Sequence, residues 1–130
     1  REQAMLVDAV FAGRLPVLDL AQAKLAGEGL DPGVMLGAVL RQALALLKAR
    51  QSVDAGRSVK DVVGTMRLPY PRIATTEAAL GAWSTARLTE AVGLLGAAVL
   101  ATRQNAETGR ATATRSLWTL ARLARSGRSD

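Results

Sequence analysis

The sequence contains no cysteine and no histidine. Without cysteine there is neither a disulfide framework nor a thiolate nucleophile, which fits a reducing compartment. Without histidine, the commonest general base and the commonest metal ligand are both missing. Aromatic residues make up 3% of the chain, and there is a single Tyr and a single Phe. A sheet draws on β-branched and aromatic side chains, so this poverty disfavours strands. What is present instead is Leu, Ala and Val in a chain that is 49% apolar, the composition of packed helices. With 130 residues the chain has room for one domain around one core. No segment is expected to have the length of a membrane span. The longest uncharged helical stretch, Ala91 to Thr102, covers 12 residues, against about 20 needed to cross a bilayer. Arg1-Glu2-Gln3 carries neither a starter Met nor a signal-peptide apolar region, so the chain reads as an internal piece of a larger parent.

The net charge of +6 is unevenly placed. Residues 1–65 hold 8 basic and 7 acidic side chains, whereas residues 66–130 hold 9 basic, all Arg, and 4 acidic. A basic half suits nucleic acid or an acidic partner, and it also suits a plain solvated surface.

Read along the chain, residues 3–12 form a first helix with Met5, Leu6, Ala9 and Val10 on one side, ended by Gly13. A second runs from about Pro16 to Gly27 with Val17, Leu20, Ala21 and Leu25 inward. The third starts at Asp31, a capping residue, followed by Pro32 at the first helical position, and runs to about Val53. Leu36, Val39, Leu40, Ala43, Leu44 and Leu47 make its apolar stripe. Gly37, Ala38, Ala45 and Ala49 line its other side, so both faces are usable and the helix belongs in the middle of a bundle. Ser58 caps a short fourth helix through Val62 and Val63 to Met66. Leu68-Pro69-Tyr70-Pro71 reads as an extended break. A fifth helix is predicted from about Arg72 to Trp83, then a sixth capped by Ser84 with Leu88, Val92, Leu95 and Val99 inward. The sixth has no charge between Glu90 and Arg103. After the turn at Glu107-Thr108-Gly109, a seventh helix reaches about Arg125, and residues 126–130 form a frayed tail. The expected fold is therefore all-α: a single-domain bundle of about seven helices spanning residues 1–125.

Catalytic signatures are missing. There is no phosphate-binding glycine loop of either common type. Asp54 and Asp61, the nearest acidic pair, read as helix-end residues and not as an acid/base couple. No catalytic residue, cofactor or metal is implied.

Four side chains stand out as a candidate surface. On the last helix Ala113, Leu117, Leu120 and Ala124 form the core side, while Trp118 points away with Arg115, Arg122 and Arg125. Either Trp118 lies flat under an arginine, or it anchors a partner, since Trp and Arg are enriched at binding surfaces. Trp83, just before the Ser84 cap, is expected in the core, packed as a staple on Leu88. Tyr70 is expected to pin its loop to the domain, and Arg67 and Arg72 flank that break.

Taken in order, these pieces resemble the C-terminal domain of the delta subunit of the bacterial DNA polymerase III clamp loader. The resemblance runs through Leu6-Val7-Asp8-Ala9-Val10-Phe11-Ala12-Gly13, Leu25-Ala26-Gly27-Glu28-Gly29 and Leu36 to Gln42. It continues through Asp54-Ala55-Gly56, Leu80, Trp83-Ser84, Ala86-Arg87-Leu88 and Glu107-Thr108-Gly109. It implies a collar domain: in this family the C-terminal helical domains of the subunits close into a ring that holds their AAA+ modules together. The implied role is non-catalytic assembly during DNA replication in the cytoplasm. The implied partners are the other clamp-loader subunits, with Trp118, Arg115, Arg122 and Arg125 as the expected contact, self-association of the isolated domain as an added outcome, and no membrane. The rival reading is a helical nucleic-acid-binding domain placing Arg110, Arg115, Arg122, Arg125 and Arg128 on phosphates, although DNA contact is expected to be weak without a recognition helix. A third is a helical adaptor of unrelated ancestry.

Overall fold

The computed structural model describes the backbone of residues 2–129 and the side chains of residues 2–126. Among these residues the chain forms seven α-helices and no strand: α1 (Glu2–Ala12), α2 (Leu15–Gly27), α3 (Pro32–Asp54), α4 (Val59–Thr65), α5 (Tyr70–Ala82), α6 (Thr85–Gln104) and α7 (Gly109–Ser129). The all-α bundle expected from composition is what the chain adopts.

Three helices start where short polar side chains can satisfy free backbone donors. Asp31 Oδ2 accepts from Gly33 N–H at 2.9 Å, Ser58 Oγ from Asp61 N–H at 3.0 Å, and Ser84 Oγ from Arg87 N–H at 3.1 Å. The Leu-Pro-Tyr-Pro stretch departs from expectation. Helix α5 begins at Tyr70, with Pro69 as its N-cap and Pro71 inside the first turn. A proline there loses no intrahelical hydrogen bond, so the second proline starts the helix and does not break it. At the other end of the chain, helical backbone continues past Arg125 to Ser129, where a frayed tail was expected. Asp130 lies outside the described residues.

The core is built on α3 against α6, with α1 and α7 packed on the pair and α2 and α5 outside them. From α3 come Met35, Leu36, Val39, Ala43, Leu46 and Ala49, and from α6 Leu88, Ala91, Leu95 and Ala98. The expected stripes are therefore rotated by about one position. Leu40 and Leu47 are only partly buried, Leu44 is exposed, and Ala49, assigned to the opposite side, is in the core. On α6, Val92 and Val99 are partly buried while Ala91 and Ala98 take the central places. Small side chains here let two long helices approach closely. The same rotation puts Leu18 of α2 in the core and Leu20 in solvent, and leaves Met5 of α1 exposed while Val7 and Phe11 are buried.

Trp83 closes the bundle from below. It is buried, its indole N–H donates to the Phe11 carbonyl at 2.9 Å, and its ring meets Phe11 edge to face with centroids 5.3 Å apart. The end of α5 is thereby fastened to the end of α1. Gly13 makes the α1–α2 turn with φ of +70°, and a Cβ there would lie 2.6 Å from Arg125 Cγ and 3.0 Å from the Ala121 carbonyl. Glycine is required both by the left-handed backbone and by the close approach of α7. Tyr70, expected to pin its loop, is instead 87% exposed at the first residue of α5.

By length and composition alone, α3 and α6 are long and apolar enough to cross a membrane. That corrects the expectation drawn from charge-free stretches, because a helix of this length reaches the same hydropathy while carrying two charges. Core helices of a bundle have the same character, and here the two helices pack on each other.

The rotated phase makes a direct prediction. Leu95→Ala, at a fully buried site, should lower stability by roughly 2–5 kcal/mol in urea melts, whereas Leu44→Ala should cost below about 1 kcal/mol. Similar losses at both would contradict the assignment of faces.

A second prediction concerns acid. Asp54 at the end of α3 accepts from the Thr85 hydroxyl at 2.7 Å and from Arg50 Nε at 2.9 Å, and these hold its carboxyl below the ordinary value, the Thr85 bond first. A carboxyl whose pKa is lower folded than unfolded stabilises above its unfolded pKa, and that stability is lost as pH falls through the folded one. Thermal melts should show wild type more stable than Asp54→Asn above about pH 4, with the gap closing at lower pH. A gap that stays constant down the acid limb would contradict the assignment.

Candidate interaction surface

Helix α7 separates its two sides cleanly. Ala113, Leu117, Leu120, Ala121 and Ala124 are buried, while Arg115, Arg122 and Arg125 are exposed on the far side. Trp118 lies between the two, half-buried. Its indole N–H donates to Asp19 Oδ1 of α2 at 2.6 Å, and the Arg122 guanidinium sits over its ring, 5.9 Å from the centroid. The indole is thus gripped at its edge by a carboxylate and on its face by a cation. Of the two sequence-level readings for Trp118, the arginine-stacked ring is the geometry found, with Arg122 and not Arg115 as the stacking partner.

Two contacts set the direction of α7. Trp118 meets Asp19, and seven residues later Arg125 lies against Gly13. The last helix therefore runs antiparallel to the start of α2. Arg115, Arg122 and Arg125 share one face because positions i, i+7 and i+10 differ by less than a quarter turn on a helix. No acidic residue occurs between Gly109 and Ser129, and Asp19 of α2 is a carboxylate that the structure brings to this helix, where it is engaged by Trp118.

Arg110, of the rival phosphate-binding set, is tied elsewhere. It turns back to donate to the Leu30 carbonyl at 3.2 Å, tying the start of α7 to the α2–α3 turn. The Arg128 side chain lies outside the described residues. Arg72, which flanks the Leu-Pro-Tyr-Pro stretch, forks onto Asp8, with Nη2 2.8 Å from Oδ1 and Nε 3.4 Å from Oδ2, and so ties α5 to α1. Arg67 is exposed in the α4–α5 turn with φ of +53°.

A cleft of about 370 Å³ opens between α1, α3 and α5, lined by Asp8, Phe11, Arg14, Gln42 and Thr76 and by alanines of α5. The chemistry it offers is limited. Asp8 is held by Arg72, and the Thr76 hydroxyl, which has no hydrogen-bond partner among the described residues, is shut off from solvent.

Asp19 is the member of the α7 surface that sequence reasoning missed. It is separated from Trp118 by 99 positions, and nothing in the local pattern of α2 marks it. Compared with protein-family models, with curated proteins and with solved structures, the chain matches none.

The Asp19 contact predicts a spectroscopic result. Asp19→Ala should lower stability by about 1 kcal/mol, as for one partly exposed hydrogen bond, and shift emission to longer wavelength as Trp118 gains water. Trp83, fully buried, supplies a constant background. Unchanged emission would mean that Asp19 does not hold the indole.

Proposed function

We propose that this chain is a non-catalytic helical assembly domain that resembles the collar domain of the delta subunit of the DNA polymerase III clamp loader. In this reading it acts in the cytoplasm, binding other clamp-loader subunits so that the sliding clamp can be loaded during replication. The observation that carries the reading is the outer face of α7: an aromatic ring held half out of the core, its polar atom satisfied and arginines around it. Such a ring costs little ordering entropy on binding, because Asp19 and Arg122 have already fixed it. Anchors with this preparation, rimmed by polar groups, are what protein contacts concentrate their energy on.

The positions that carry the family resemblance also support it, since they fall where the fold turns. Phe11-Ala12-Gly13 receives Trp83 and α7, Asp54 ends α3 and binds the start of α6, and Trp83-Ser84 joins α5 to α6. A non-catalytic role agrees with a chain that has no histidine or cysteine and whose cleft holds its carboxylate in an ion pair. In this reading α3 and α6, which pack on each other, are bundle helices.

The test is co-purification. Trp118→Ala in the tagged chain should abolish recovery of the other clamp-loader subunits, while the variant still melts cooperatively, a few degrees lower at about 4–8 °C per kcal/mol lost. Undiminished recovery of those subunits, or their absence with the wild-type chain, would overturn the proposal.

A further inference from the structure

We infer that the arginine row of α7 docks an acidic protein segment: a carboxylate-bearing helix of the partner. The inference rests on the assembly reading above and names the chemistry of the surface that meets it. Arg115, Arg122 and Arg125 occupy one face of a helix that contains no acidic residue. Arg125 packs its stem on the Gly13 turn and the Arg122 guanidinium lies on the Trp118 ring, so both side chains are held before any partner arrives. Arginine presents planar forks that match carboxylates two bonds at a time.

Phosphate oxygens are matched by the same forks, and the surroundings choose between the two. Nucleic-acid grooves combine cations with aromatic faces on which bases stack. Here the one aromatic ring has a face covered by Arg122 and its N–H given to Asp19, so it offers no open stacking platform. The row is short as well. From Arg115 to Arg125 it rises about 15 Å along the helix axis, which suits a few turns of a partner helix.

The experiment measures binding of a fluorescein-labelled helical peptide of alternating Glu and Ala pairs by anisotropy, at about 0.15 M salt. The full chain is compared with Arg115→Glu/Arg122→Glu and with Arg57→Glu/Lys60→Glu. The second double variant makes the same change in net charge around α4, an element not packed against α7. Expected is saturable binding that weakens about tenfold or more in the first variant and less than about twofold in the second. Equal losses in both, or no saturable binding, would overturn the inference. So would tighter binding of a single-stranded oligonucleotide of the same charge, which would reassign the row to phosphate. Co-purification separates the two proposals. If Arg115→Glu/Arg122→Glu retains the clamp-loader subunits and Trp118→Ala loses them, the acidic partner falls and the assembly reading stands. If the peptide behaves as expected while neither variant loses the subunits, the assembly reading falls alone.

Discussion

The rest of the structure depends on the packing of α3 against α6. Both are long, both are almost free of charge along their contact, and both place alanines at the centre: Ala43 on one and Ala91 and Ala98 on the other. The seam is short of aromatics, so its stability comes from close approach of the two helices and from leucines that fill the flanks. Burying a leucine there is worth roughly 1.5–3 kcal/mol, and several are fully buried. Such a core supplies a rigid support on which the outer helices can be set.

The outer helices are set by a few long-range polar ties. The Trp83 indole on the Phe11 carbonyl fastens α5 to α1, and Arg72 on Asp8 fastens the same two helices further along. Arg50 reaches the Leu80 carbonyl from α3, and Arg87 of α6 reaches the Leu123 carbonyl of α7. Each tie satisfies a carbonyl or carboxylate while directing one helix relative to another. Together with the Gly13 turn they hold α7 with its leucines inward, and that orientation leaves Trp118 half-buried and the arginine row exposed.

Legibility differed between helices for a physical reason. On α7 the polar side is arginine, so the contrast between faces is large, and Ala113, Leu117, Leu120 and Ala124 were all identified as core from spacing alone. On α2, α3 and α6 the exposed side is itself Leu, Ala and Gly. A stripe shifted by one position looks nearly as apolar, and Leu20, Leu40 and Leu44 were placed inward where Leu18, Met35 and Leu46 are. Helix ends were read well, because Asp31, Ser58 and Ser84 act on neighbours two or three residues away. Pro71 was misread because a proline in a first turn and a proline in a break have the same sequence. Of the α7 surface, Trp118 and its arginines were visible in the chain. Asp19 was not, since a contact between α2 and α7 leaves no mark on either segment.

The account makes α3–α6 the last unit to open and α7 a fixed part of it, so that its outer face is a rigid platform and not a loose arm. Native-state hydrogen exchange of the full chain in mild denaturant measures this directly. The account predicts that amides of residues 39–46, 91–98 and 117–121 share one opening free energy equal to that of global unfolding, while α4 opens at lower cost. Exchange of residues 117–121 through a separate, cheaper opening, with α3 and α6 still protected, would contradict it.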